Sequence, residues 1–330
     1  MKTRSVLPTE YLSLSWESVA PLIFPPVCVL CGAATEPTHP ADRQKSNRQY
    51  ETFCLACETS LIQSSPMMRT ACDTCGWPSG ARSARSTPRR IGSHADDCGE
   101  IDQAEDEDTA SEGLPCAKCH ARKVPHRFDR ITPLYRYHDA ARDAVVAAKY
   151  PHNSVVAREL AIRLAARCHE RWPDLTEQNP RPKAANGNGF LPAFLWRPGV
   201  GSAGIWSPHG PIVTSVPSPW IRQVRRGGSG TRLLAQYTAA RLRLPYVTLL
   251  RTRRQIAKQA LLDDDARREN VSGAFCVRAG AGEKISGREI VLVDDVMTTG
   301  ATANEIAGVL LDAGARKVSL AVVAMALRED

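Results

Sequence analysis

Two adjacent carboxylates, Asp294 and Asp295, follow the apolar run 290–293 and precede a loop of small, hydroxyl-bearing residues. The loop reads Met297, Thr298, Thr299, Gly300, Ala301, Thr302. Unbroken apolar character over 290–293 predicts a buried parallel strand with the acids at its carboxyl end. Residues 303–313 predict the helix that follows. A strand, a turn and a helix in this order gather backbone N–H groups at a helix N-terminus, where an anion is stabilised. The three threonine hydroxyls add donors, and Gly300 lets the backbone come close to a ligand. This half is a phosphate site. The two carboxylates cannot bind phosphate as well. They suit the hydroxyls of a sugar, or a divalent cation shared with a polyphosphate. A sugar phosphate satisfies both halves.

A second chemistry lies near the start. Of 11 cysteines, eight form four C-x₂-C pairs: Cys28/Cys31, Cys54/Cys57, Cys72/Cys75 and Cys116/Cys119. Each pair offers two thiolates on a tight knuckle, and two pairs complete a tetrahedral Zn²⁺ site. Four thiolates leave no open position, so the role expected of the metal is structural. Gly32 and Gly76 directly follow the second cysteine of their pairs, where a knuckle needs a left-handed residue. The eight residues make two four-Cys sites, or one good site and a degenerate second. Sequential pairing is the simplest arrangement, and a crossed one fits the spacing as well. The spacing of Cys98, His94 and His120 does not favour them as ligands. Cys168 and Cys276 read as small apolar residues.

The stretch 289–302 resembles the signature of the type I phosphoribosyltransferases. That resemblance implies that Asp294 and Asp295 hold the ribose hydroxyls and that Met297–Thr302 holds the 5-phosphate of phosphoribosyl pyrophosphate. More of the chain is similar to the ComF family, competence-associated phosphoribosyltransferase-like proteins with an N-terminal zinc finger. Phe24, Pro25 and Pro26 lead into Cys28 as in that family, and Ala148, Lys149 and Tyr150 match its Lys-Tyr motif. The resemblance implies that Lys149 faces the ligand cleft. It also implies a pyrophosphate loop after Val216–Pro217, with Arg222, Arg225 and Arg226 on the diphosphate. A flexible loop over 251–270 would bring Arg254 and Lys258 to the same group. Two departures bear on turnover: Pro219 stands where a His is usual, and Gly228, Ser229 and Gly230 replace larger residues. Ser229 can instead cap a helix over 231–242.

Elements must position these groups. Residues 128–137 predict a strand, and 139–150 and 154–171 predict helices, the second with Val155, Leu160, Leu164 and Cys168 near one face. Strands are expected over 211–216, 245–250, 271–278 and 317–326, the last closing the sheet. Residues 12–23 predict a short amphipathic helix. Residues 79–113 are basic then acidic, and 176–210 are rich in Asn, Gly and Pro. The first reads as a disordered insertion and the second as a flexible one.

At 330 residues the chain accommodates about two domains. The expected division is a Cys-rich module over 1–127 and an α/β domain over 128–330. The latter has the type I phosphoribosyltransferase fold, an open, mainly parallel sheet with helices on both faces. No apolar run is long enough to span a membrane. The first residues make a poor signal peptide, so the expected location is the cytoplasm, where reduced thiols suit zinc. The net charge of +8 permits nucleic-acid contact without requiring it. The expected ligand is phosphoribosyl pyrophosphate or a related nucleotide, with Mg²⁺, and pentosyl transfer to an acceptor that the sequence does not identify. The alternative is a DNA-uptake accessory that binds single-stranded DNA or a helicase partner.

Overall fold

A computed structural model of the chain describes residues 26–37, 51–78, 116–122, 124–177, 210–254 and 264–327. The expected helix over 12–23, the insertion over 79–113 and Lys258 lie outside them. So does most of the insertion over 176–210. The described elements begin with three helices of the Cys-rich part: α1 (Leu55–Gln63), α2 (Pro66–Arg69) and α3 (Ala117–His120). There follow β1 (Arg130–Arg136), α4 (Asp139–Ala148), α5 (Ser154–Arg171), α6 (Asp174–Glu177), β2 (Ile212–Ser215), α7 (Trp220–Arg226) and α8 (Gly230–Leu242). The last third adds β3 (Leu250–Thr252), α9 (Asp264–Val271), β4 (Phe275–Val277), α10 (Gly282–Ile285), β5 (Glu289–Met297), α11 (Ala301–Asp312) and β6 (Lys317–Met325).

The main sheet is parallel, in the order β1-β6-β5-β2. Strand β6 therefore does not close the sheet as the sequence suggests. It lies inside, hydrogen-bonded on both edges, which is why it is buried from Val318 to Met325. Strands β5 and β6 alternate between two cores. Val291, Val293, Ala321 and Val323 join α4, α5 and α8 on one face. Ile290, Leu292, Leu320 and Val322 join α11 on the other. The period of two in a strand thus serves two helical layers at once.

Two expected strands are cut back. Residues 245–250 form only a bridge, Val213 with Tyr246, before β3. Strand β4 begins at Phe275, because α9 runs to Val271. Residues 217–230 are not an open loop: α7 forms there, and left-handed Gly227 ends it. On α5 the buried stripe is Val156, Leu160, Leu164 and Cys168, whereas Val155 is exposed.

The Cys-rich part packs directly on the sheet domain. Cys28, Phe53 and Leu61 share one core with Tyr135 and Leu160, and Met68 shares the other with Ile131. Helix α5 adds a ladder of arginines four residues apart. Arg163 makes a two-pronged pair with Glu58 at 2.7 and 2.8 Å. Arg167 donates to the carbonyl of Arg69 at 2.7 Å, and Arg171 to that of Ala71 at 2.8 Å. Cations at the end of α2 also complement its dipole.

At the amino end of the sheet, Glu289 is buried and accepts from Arg130 at 2.9 Å and from the Ser319 hydroxyl at 2.6 Å. Arg130 also forks onto Asp174 at 2.8 and 2.7 Å. This pairing holds the Asp174 carboxyl below its usual range. Removing Arg130 strands the Glu289 charge in the core. Arg130→Ala should cost about 3–5 kcal/mol, and chemical denaturation should show Glu289→Gln in the same chain recovering part of it.

Candidate functional site

The site is built at the carboxyl end of β5, where β2 has already stopped. Ser215 pairs with Val293, and no residue of β2 lies opposite Asp294 or Asp295. On the other edge β6 continues to Met325. The two acids therefore lie within β5, not after it, in a step of the sheet. Asp294 accepts from the Asp295 N–H and Asp295 from the Val296 N–H, both at 2.8 Å. Burial, then the neighbouring Asp295 carboxylate, push the Asp294 carboxyl well above the ordinary range. Asp295 meets Lys149 Nζ at 3.5 Å. Asp295 is thus paired with a cation, and the two adjacent carboxyls can accept hydrogen bonds from vicinal hydroxyls.

Lys149 follows the last residue of α4, and the start of α8 packs closely against this point. An added Cβ at Gly230, the first residue of α8, would lie 2.1 Å from the Ala148 carbonyl oxygen. Gly228 stands at φ +146 beside Pro151. The absence of side chains at Gly228 and Gly230 is therefore what admits this close approach. Ser229 caps α8, its hydroxyl accepting from the Arg232 N–H at 3.3 Å, as its sequence position suggests. Arg226 lies over the Tyr150 ring at 6.0 Å, and Arg225 is exposed. Arg222 belongs to α7, but its side chain lies outside the described set. Arg254 is engaged elsewhere: it donates to the Ser272 carbonyl at 2.8 Å and to that of Glu269 at 3.2 Å, at the end of α9.

Beyond the acids, Thr298, Thr299 and Gly300 turn the chain into α11. Gly300 adopts φ +80, the left-handed region where glycine is at ease. Its carbonyl receives the Asn304 N–H at 2.8 Å, and Thr299 Oγ1 receives the Ala301 N–H at 3.4 Å. The helix begins at Ala301, two residues before the sequence suggests. Sequence reasoning missed His126, whose Cε1 would lie 3.0 Å from a Cβ on Gly300. Nothing in its spacing to 298–302 could have marked it, since the approach is made only in three dimensions.

The eight pair-forming cysteines gather into two groups, Cys28/Cys31/Cys54/Cys57 and Cys72/Cys75/Cys116/Cys119. Within each, the sulfurs lie within 4.8 Å of one another. The pairing is sequential, and the crossed arrangement does not occur. The groups are built alike. In each, a knuckle turns on a left-handed glycine, Gly32 at φ +75 or Gly76 at φ +74. A helix then starts at the third cysteine, Cys54 before α1 or Cys116 before α3. The sulfur–sulfur separations are 3.5 Å for Cys31–Cys54, 3.8 Å for Cys72–Cys119 and 3.4 Å for Cys75–Cys116. Tetrahedral zinc with Zn–S bonds near 2.3 Å needs sulfurs about 3.8 Å apart.

Charge points the same way. Burial disfavours the Cys28 thiolate, but backbone hydrogen bonds from Cys54, Cys31 and Leu30 outweigh it and bring the thiol down to about 7. Cys72 behaves alike. Burial and neighbouring sulfurs push Cys57 and Cys75 up, so ionising all four needs a cation between them. The residues fit zinc in both groups. Cys168 is different: it is fully buried in the α5 core, which pushes its thiol up to about 12.

The Phosphoribosyl transferase domain family matches residues 229–329. The chain is 38% identical over 109 residues to the DNA utilization protein YhgH of Escherichia coli O157:H7, covering 33% of this chain and 46% of that protein. It is 33% identical over 110 residues to Competence protein F of Haemophilus influenzae, covering 33% of this chain and 47% of that protein. The chain thus spans about half the length of these curated relatives. A solved allosteric regulatory enzyme of purine biosynthesis shares 24% identity over 34% of this chain and 21% of its own, at a TM-score of 0.24. That likeness is too loose to bear on the site. No described helix is long and apolar enough to cross a membrane.

Two measurements check these assignments. Metal analysis of the purified chain should find two zinc equivalents, and Cys28→Ser should retain one; two equivalents in that variant would refute the grouping. Gly230→Ala should lower stability by about 1–3 kcal/mol through overpacking, and should weaken ligand binding at the Lys149–Asp295 corner more than it disturbs zinc content.

Proposed function

For this chain, a member of the ComF family with a phosphoribosyltransferase domain, we propose that the ligand is phosphoribosyl pyrophosphate or a closely related ribose 5-phosphate compound. Asp294 and Asp295 hold the ribose 2- and 3-hydroxyls, and Met297, Thr298, Thr299, Gly300, Ala301 and Thr302 hold the 5-phosphate. The observation that carries the reading is the step in the sheet. It leaves two half-buried acids, one raised in pKa and one paired to Lys149, directly before a left-handed Gly300 and the start of α11. Sugar hydroxyls and a phosphate are the ligand groups that satisfy both halves.

Lys149, Arg222, Arg225, Arg226 and Lys258 are the cations assigned to the diphosphate in this reading. Mg²⁺ travels with that group as its counter-ion, since Asp295 is already paired and the acids do not form a cage of their own. In a transfer reaction the bond from the ribose anomeric carbon to the diphosphate breaks as a bond to the acceptor forms. Negative charge then grows on the departing diphosphate, and the cations lower its energy. The acids orient the ribose and take no proton from it. Zinc in the two four-Cys groups is structural in this reading, because every ligand position is filled by sulfur.

The names of the relatives, a DNA utilization protein and a competence protein, favour a second reading. In it the chain serves DNA uptake or processing, contacting single-stranded DNA or a helicase partner, and the ribose-phosphate site reads a nucleotide.

Titration calorimetry with phosphoribosyl pyrophosphate and Mg²⁺ separates the two. The first reading expects micromolar binding, about −8 kcal/mol, weakened at least tenfold in a folded Asp295→Asn variant. Equal affinity of wild type and variant would remove the site assignment. Absence of binding, together with single-stranded DNA affinity that falls steeply with salt, would favour the second.

A further inference from the structure

His126, Arg127 and Phe128 run from the second four-Cys group to β1, and they lie along the phosphate loop and α11. Phe128 is buried, and its ring stacks on His126 at 4.3 Å. The His126 ring packs on Gly300. The Arg127 N–H donates to Asn304 Oδ1 at 2.5 Å, in the first turn of α11. The Arg127 side chain lies flat along that helix, over Gly308, where a Cβ would come within 2.2 Å of Nη1, and it ends on Asp312 at 2.8 Å. The other end of this stretch is tied to cysteine. Cys116 and Cys119 frame α3, and the Arg122 N–H donates to the Cys119 carbonyl at 3.2 Å.

Between this stretch, α9 and the start of α11 lies a cavity of about 340 Å³. Arg122, His126, Thr299 and Gly300 line it, along with Arg268 and Glu305. Arg122 Nε and His126 Nε2 are buried and have no hydrogen-bond partner among the described residues. Glu305 is engaged by the Gly273 N–H at 2.8 Å. Buried polar atoms without partners cost free energy, and such positions are rare unless a ligand or water completes them. Both residues line the cavity that also borders the phosphate loop.

We propose that Arg122 and His126 form an outer wall of the phosphate subsite and hydrogen-bond a phosphomonoester held by the loop. Because this wall springs from Cys119, metal in the second four-Cys group and phosphate on the loop favour each other's binding. The proposal rests on the reading of residues 297–302 as a phosphate loop. It goes beyond that reading by giving the Cys-rich part a share in the ligand site. Metal at Cys72, Cys75, Cys116 and Cys119 fixes the start of the wall, and Gly300 and Asn304 fix its end. A ligand that orders the wall therefore slows loss of that metal, since coupling between two binding sites is reciprocal.

The test uses the full chain and ribose 5-phosphate as probe. In calorimetry, His126→Ala and Cys116→Ser should each weaken binding roughly tenfold, within the usual coupling range. Cys28→Ser, which opens the first group instead, should stay within about threefold. In a chelator assay on the wild type, ribose 5-phosphate should slow release of one of the two zinc equivalents and leave the other unchanged. If the wild type binds ribose 5-phosphate but His126→Ala binds it equally well and zinc release is unaltered, the wall is refuted while the phosphate loop stands. Failure of the wild type to bind the probe would refute the phosphate loop itself, and the wall with it. Should Cys116→Ser not fold, His126→Ala and the release assay decide the matter with all cysteines intact.

Discussion

The buried carboxylate of Glu289 is the fixed point of the structure. It opens β5, and Arg130, which opens β1, pairs with it across β6 through Ser319. A buried ion pair of this kind contributes little net stability, but losing one partner is costly. Its effect is to hold three strands in one register at their amino ends. Everything at the carboxyl end depends on that register. Asp294 and Asp295 stand five and six positions along from Glu289. His126 and Phe128 immediately precede the strand that Arg130 begins. One network thus positions both the acids and the segment that borders the phosphate loop.

Close backbone approach is the second constraint. Gly230 touches the end of α4, and Gly308 lies beneath Arg127. A side chain at either place would push apart elements that the site needs together. At Gly230 the lack of a side chain allows a tight corner against Ala148 and Lys149 that a larger residue could not make.

The Cys-rich part is not a separate bead. Its two cysteine groups repeat one design, a glycine-turned knuckle followed by a helix that starts at the third cysteine. Helix α5 holds that part with a ladder of Arg163, Arg167 and Arg171, one rung per turn. Two of the rungs end on backbone carbonyls. Such contacts leave no pattern in the sequence beyond arginines four apart, which an exposed helix face would also show.

The sequence by itself determined the chemistry that is local. The acid pair, the Thr/Gly loop, the C-x₂-C knuckles, the Ser229 cap and the apolar run of β5 each depend on residues a few positions apart, where backbone geometry fixes the neighbours. It also established the parallel α/β fold, since strand and helix periods alternate along the second half. Tertiary structure alone decided what depends on contacts between distant segments. It placed β6 inside the sheet, stopped β2 short of the acids and turned residues 220–226 into a helix. It sent Arg254 to the end of α9, settled the sequential grouping of the cysteines and set His126 against Gly300. The physical reason is common to all of these. Which strand edge is covered, which carbonyl is left for an arginine and which glycine receives a ring are settled by packing between segments, and packing has no period that a single chain can display.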